Sequence, residues 1–95
     1  MDLIFEWDED KARSNEAKHG VSFDEGRTVF NDPFTITIPD PDHSEHEDRW
    51  IDIGFSSQGR LVVVWYTERD ERIRLIGCRR ATPAERRCYS DERIR

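Results

Sequence analysis

Residues 60–80 read RLVVVWYTERDERIRLIGCRR. Positions 61–67 are dense in β-branched and aromatic side chains, which suit a pleated, half-buried surface. Positions 72–78 interleave Arg72 and Arg74 with Ile73 and Leu75, and the polar run Glu68-Arg69-Asp70-Glu71 is the natural turn between the two strands. Closing that turn with Thr67 opposite Arg72, or with Glu68 opposite Glu71, sets the same register. Tyr66 then pairs with Ile73, Val64 with Leu75, and Arg60 with Arg79 on one face. Trp65 pairs with Arg74 on the other. Side chains alternate with period two, so a one-residue slip exchanges the faces.

Working outward, residues 50–56 (WIDIGFS) form the preceding strand, turned back by Ser57-Gln58 at Gly59. This hairpin sets Ile53 opposite Val62, Ile51 opposite Val64 and Trp50 opposite Trp65. One face of the meander is then apolar: Ile51, Ile53, Phe55, Val62, Val64, Ile73 and Leu75, a surface for helices to cover. The other face carries a row Trp50–Trp65–Arg74, with Arg72 and Arg80 on the same side. Residues 34–38 (FTITI) and 2–7 (DLIFEW) are further strands, the latter with Ile4 and Phe5 as the candidates to face inward.

Asp8 is an N-cap for a helix running to about His19 and stopped by Gly20. Its only apolar residues are Ala12 and Ala17, so it is peripheral. Ser22-Phe23-Asp24-Glu25 is a capping box opening a second helix through about Phe30, which Asn31-Asp32-Pro33 ends. Gly26 lets that helix approach the sheet closely. Thr82-Pro83-Ala84-Glu85 is the strongest helix start: a cap, a proline at the first position and a glutamate at the third. Residues 39–48 (PDPDHSEHED) are a loop. The order β-α-α-β-β-β-β-α describes one α+β domain over residues 1–95 with a mainly antiparallel sheet.

Charged residues at 38% and a mean hydropathy of -0.90 are compatible with disorder, but three Trp, five Phe and clear strand patterns oppose it. No apolar run approaches the roughly 18 residues of a membrane span, and no basic-then-apolar leader is present, so a cytoplasmic protein is expected. Cys78 and Cys88 lack metal spacing and read as buried free thiols rather than a disulfide. Residues 1–55 hold five Lys/Arg and fifteen Asp/Glu, a net of -10, while residues 56–95 hold ten Arg and six Asp/Glu, a net of +4. The arginine half permits nucleic-acid contact; the acidic half argues against a general polyanion binder.

The Trp50–Trp65–Arg74 row, with Arg72, fits an RNA-stacking platform; the competing reading is a cross-strand aromatic pair shielding a sheet face, or a partner-binding patch. Arg60, Arg79 and Arg80, with Glu68 and Tyr89, fit a phosphate-handling site. A ribonuclease that forms a 2′,3′-cyclic phosphate needs a base for the 2′-hydroxyl, charge at phosphorus and an acid for the leaving oxygen. The competing reading is salt-bridging of these arginines to Glu85 or to the acidic half. His19 is a candidate general base or a helix-end dipole partner. His43 and His46 lie among Asp40, Asp42, Glu45, Glu47 and Asp48, but the run lacks an EF-hand's glycine and frame, so no metal or other cofactor is expected.

These residues resemble a known family. Phe5-Glu6-Trp7-Asp8 with Lys18-His19-Gly20-Val21-Ser22-Phe23, then Val29-Phe30-Asn31-Asp32-Pro33, look like the opening of BrnT toxins. Ile53-Gly54, Gly59-Arg60, Tyr66-Thr67-Glu68-Arg69, Arg72-Ile73-Arg74-Leu75-Ile76, Arg79-Arg80-Ala81-Thr82, Glu85 and Tyr89 continue the pattern in order. The resemblance implies a RelE-like fold and a ribonuclease toxin of a type II toxin–antitoxin system that arrests translation. It also implies a hetero-oligomer with a ribbon-helix-helix BrnA antitoxin, through which operator DNA is bound. The family usually has Ser-Ala where this chain has Gly77-Cys78, and often Gly at Asp70. A second reading is a binding module whose site has decayed and which serves to hold the antitoxin; the overall acidity favours it.

Overall fold

A computed structural model describes residues 3–43 and 47–94, leaving aside the side chains of 43 and 92–94. The expectations for Asp2, for Glu45 and His46 and for Arg95 lie outside the described residues. The elements run β1 (Ile4–Glu6), α1 (Glu9–His19), α2 (Phe23–Arg27), a 3-10 turn (Thr28–Asn31), β2 (Ile36–Pro39), a second 3-10 turn (Pro41–His43), β3 (Arg49–Phe55), β4 (Leu61–Arg69), β5 (Arg72–Arg80) and α3 (Pro83–Ile94). The strands form one mixed sheet in the order β1-β5-β4-β3-β2, with β1 parallel to β5 and the other neighbours antiparallel. No helix among the described residues is long and apolar enough to cross a membrane.

The helix boundaries follow local chemistry. Asp8 accepts from the Asp10 and Lys11 amides at 2.8 and 3.1 Å, and Gly20, at φ 71°, closes α1 in the left-handed region. None of α1 is buried. An amide anchors it instead: Asn15 Nδ2 donates to the Cys78 carbonyl at 2.8 Å, and Asn15 Oδ1 accepts from the Cys78 amide at 3.2 Å. Ser22 caps α2 through the Glu25 amide at 3.0 Å, but the Glu25 carboxylate goes to Arg60 and Ser56 instead of closing the box. The chain after Arg27 tightens into a 3-10 turn, so the expected single helix through Phe30 is two short pieces. At α3 the box is complete: Thr82 Oγ1 accepts from the Glu85 amide at 3.2 Å and Glu85 Oε1 from the Thr82 amide at 2.8 Å.

Both expected hairpin registers are wrong, for identifiable reasons. Between β3 and β4, Phe55 pairs with Leu61, Ile53 with Val63 and Trp50 with Tyr66. Gly59, at φ 76°, belongs to the loop as its left-handed residue, which makes the loop one residue longer than a two-residue turn. That slip exchanges the faces of β3. Between β4 and β5 the turn is Asp70-Glu71, so Thr67 pairs with Arg74 and Tyr66 with Leu75. A bulge then intervenes, and Trp65 pairs with Gly77, Val64 with Cys78, Val63 with Arg79 and Val62 with Arg80. The Trp50–Trp65–Arg74 row and the Arg60–Arg79 pair therefore do not form.

The sheet consequently has a core on each face. Val62, Val64, Tyr66, Ile73, Leu75 and Cys78 pack against Val21, Phe23 and Val29 from the α1–α2 side. Ile53, Leu61 and Val63 pack against Tyr89 of α3, with Ile51, Phe55 and Trp65 alongside. The apolar set expected on one face is thus divided between two. Ile4 is 55% exposed and Phe5 supplies the inward side chain of β1. Both thiols are free; Cys78 is buried, but Cys88 is exposed on α3.

Two stability predictions arise here. Asp70 and Glu71 have φ of 48° and 67°, left-handed conformations that cost an L residue about 1–2 kcal/mol. Glu71→Gly removes that strain at an entropic cost of about 0.5–1 kcal/mol, so a net gain of about 0.5 kcal/mol is expected as a higher urea midpoint with unchanged slope.

Asp52 is 3% exposed and accepts from Thr37 Oγ1 at 2.7 Å and the Tyr66 hydroxyl at 2.9 Å. Burial raises its carboxyl from the ordinary 3.8, and those hydrogen bonds oppose only part of the rise. The folded state then keeps this proton where the unfolded chain has lost it, so stability falls as pH climbs from the ordinary value through the raised one. Asp52→Asn keeps the acceptor and removes the charge. Urea melts at about pH 4 and about pH 8 should show a smaller difference in the variant than in the wild type.

Candidate active site

β3 ends, β4 begins and β5 ends at one end of the sheet, so Arg60, Arg79 and Arg80 gather there. The bulge in β4–β5 decides which side each one serves. Arg80, paired across from Val62, lies on the α1–α2 side, as Arg60 does. Arg79, paired across from Val63, lies on the α3 side.

On the α1–α2 side, Arg60 meets Glu25, a residue only 3% exposed. Arg60 Nε donates to Glu25 Oε2 at 2.9 Å, Nη2 donates to Glu25 Oε1, and Nη2 also donates to the Gly20 carbonyl at 3.1 Å. The Ser56 hydroxyl donates to Glu25 Oε2 at 2.7 Å. Arg60 lowers the Glu25 carboxyl against the opposing effect of burial, with Ser56 and the Arg80 charge assisting. Arg80 is exposed and its guanidinium forms no hydrogen bond or ion pair with a described residue. His19 is half-buried, one helical turn beyond the anchored Asn15 and next to the Gly20 carbonyl that holds Arg60. Arg60 and Arg80 thus both act on Glu25, and His19 lies in the chain next to the glycine whose carbonyl Arg60 holds.

On the α3 side, Arg79 and Glu85 form a two-point pair, Nη1 to Oε1 at 2.8 Å and Nη2 to Oε2 at 2.9 Å. The Arg79 Cζ lies 5.0 Å from the Trp65 ring centroid, a cation–π contact. Burial works to raise the Glu85 carboxyl, but Arg79 and the Thr82 amide outweigh it and hold it below the ordinary range. Tyr89 is 3% exposed and donates its hydroxyl to Asp32 Oδ2 at 2.7 Å. Arg79 and Tyr89 are therefore committed to binding α3 to the sheet, the salt-bridging alternative for Arg79.

The remaining candidates lie elsewhere. Glu68 is exposed by the β4–β5 turn, at the far end of the sheet. Arg74 and Arg72 bridge to Glu6 at 3.0 and 3.6 Å. Trp50 packs on the helix-side core while Trp65 faces the other way. Among the described residues, no group of three His, Cys, Asp or Glu side chains is placed to hold a metal ion. Glu25, Ser56 and Asp32 were not visible as site residues in the sequence. Glu25 looks like a capping-box glutamate and Asp32 like a helix terminator, and nothing local announces a partner 35 or 57 residues away.

A crystal structure of the Brucella abortus ribonuclease toxin BrnT resembles this fold with a TM-score of 0.67, over 85% of this chain and 99% of that one, at 23% identity. No curated protein sequence matches the chain. The family model for the ribonuclease toxin BrnT of type II toxin–antitoxin systems matches residues 7–85. With that match spanning β3, β4, β5 and the whole arginine-bearing end of the sheet, the chain belongs to the BrnT family of ribonuclease toxins.

Proposed function

We propose that this protein is a metal-independent endoribonuclease toxin on a RelE-like scaffold, acting at the corner formed by His19, Arg60 and Arg80. The observation that carries this reading is Arg80, an exposed arginine with no described partner, set beside Arg60 where the two charges reinforce each other on Glu25. Arginines held close together favour an anion between them, and a scissile phosphodiester supplies one. His19 has the ring nitrogens to take the 2′-hydroxyl proton, or to return one to the leaving oxygen. Cleavage in the cytoplasm would arrest translation. A basic ribbon-helix-helix antitoxin of the BrnA type fits the net of -10 in residues 1–55, and would carry the complex to operator DNA.

One observation favours the second reading, a weak or inactive module that holds the antitoxin. Arg60 and Arg79 are each matched by a carboxylate, Glu25 and Glu85, at the place where free positive charge is needed. RNA cleavage by the purified, antitoxin-free protein separates the two. Arg80→Ala and His19→Ala are each expected to lower the rate about 100-fold with little change in melting temperature. Cleavage that survives both substitutions rejects this corner. No cleavage, with or without ribosomes, leaves the binding module.

A further inference from the structure

Arg60 is engaged along only one edge. Nε and Nη2 meet the Glu25 carboxylate, and Nη2 also reaches the Gly20 carbonyl. Nη1 forms no hydrogen bond with a described residue, yet it is not a buried unsatisfied atom, so it opens to solvent. The pair is lopsided: the Glu25 side chain is 1% exposed and that of Arg60 29%. Buried ion pairs give little net stability, because desolvation offsets most of the attraction. Three separate elements nonetheless converge on this one. Glu25 comes from α2. Ser56 comes from the β3–β4 loop, where its amide donates to the Arg60 carbonyl at 2.8 Å and its carbonyl accepts from Gly59 at 2.9 Å. Gly20 ends α1. Burial and Ser56 hold the carboxylate, and the carboxylate holds the arginine.

We propose that Glu25 is a positioning residue: steadied by Ser56, its buried carboxylate clamps Arg60 through Nε and Nη2 so that Nη1, on the sheet face that Arg80 also serves, is left open to solvent as a preset donor to a phosphodiester oxygen of RNA. This rests on the ribonuclease reading of the corner. A guanidinium free to swivel must be ordered at each encounter, whereas a clamped one donates without that cost. The carboxylate that partly neutralises Arg60 is on this view what makes it effective, while Arg80 supplies the uncompensated charge.

The test is a double-mutant cycle on binding of single-stranded 2′-O-methyl RNA, which lacks the hydroxyl needed for cleavage. The expected result is an approximately 10-fold weaker binding in Glu25→Gln, and no further loss when Glu25→Gln is placed on Arg60→Ala. The Arg60 guanidinium nitrogen signals, slowed by the clamp in the wild type, should average in Glu25→Gln. Ser56→Ala, a milder change for use if Glu25→Gln unfolds, should weaken binding about 3-fold, again only when Arg60 is present. Equal losses with and without Arg60 would overturn the clamp, because Glu25 would then act through general stability. So would unchanged binding in Glu25→Gln. Wild-type protein that binds but does not cleave RNA sinks the ribonuclease reading alone, and the cycle still decides the clamp. Protein that neither binds nor cleaves overturns both.

Discussion

Asp32→Ala should cost about 3–5 kcal/mol, a large share of a typical total of about 5–15, and lower the melting temperature accordingly. Asp32 Oδ2 accepts from the Phe55 amide at 2.8 Å and the Tyr89 hydroxyl at 2.7 Å, while Oδ1 accepts from the Phe34 amide at 2.9 Å. Those donors come from the end of β3, from α3 and from the approach to β2. Hydrogen bonds to a charged acceptor are worth about 1.5–3 kcal/mol each, and deleting the acceptor also strands buried donors. Tyr89→Phe removes only one of these bonds and should cost about 1–2 kcal/mol. Urea melts of the two variants decide it. If Asp32→Ala costs no more than Tyr89→Phe, the carboxylate is not the junction the geometry describes.

This junction also shows where sequence and structure part. Signals that act within four residues were legible: the Asp8 cap, the left-handed Gly20, the Ser22 cap and the full capping box from Thr82 to Glu85. The strand order along the chain followed from composition and turns. Register did not, because it hung on single residues in two loops. A two-residue turn would make Gly59 the first residue of the next strand, whereas it is the turn's left-handed member, and that one-residue difference exchanges the faces of β3. The extra residue in β5 has no sequence signature, yet it sends Arg79 to α3 and Arg80 to the helices α1 and α2. That Arg60, Arg79 and Arg80 gather at one end of the sheet is legible in the sequence, but which of them is tied depends on Glu25 and Glu85 across the fold.

The acidic balance of the chain is easier to understand from these pairs. Arg60, Arg69, Arg72, Arg74 and Arg79 all have carboxylate partners, so the charge of these arginines is largely offset locally. A net charge of -6 therefore says little about the field at one corner. Long-range repulsion of RNA falls off within about 8 Å at physiological salt, whereas a contact with Arg80 acts inside that distance. The proposed toxin needs one positive corner, not a basic surface.

Gly54→Ala should be the second most damaging small substitution, at about 2–3 kcal/mol. In an open strand the change would help, because alanine has less backbone entropy to lose. Here a Cβ on Gly54 would lie 2.4 Å from Thr35 Oγ1, 3.0 Å from Val29 Cγ1 and 3.3 Å from Asp32 Oδ2. None of these neighbours yields easily. Thr35 is β-branched and its hydroxyl is held to the Val29 carbonyl at 2.8 Å. Val29 is fully buried, and Asp32 is fixed by the donors described above. The glycine lets the turn after α2 lie directly on β3, which places Asp32 within reach of α3. Thr35→Ala removes the closest atom, so Gly54→Ala with Thr35→Ala should be more stable than the sum of the single effects by about 1 kcal/mol. Strict additivity would mean that the strand yields elsewhere and that the close approach at Gly54 is not what sets this joint.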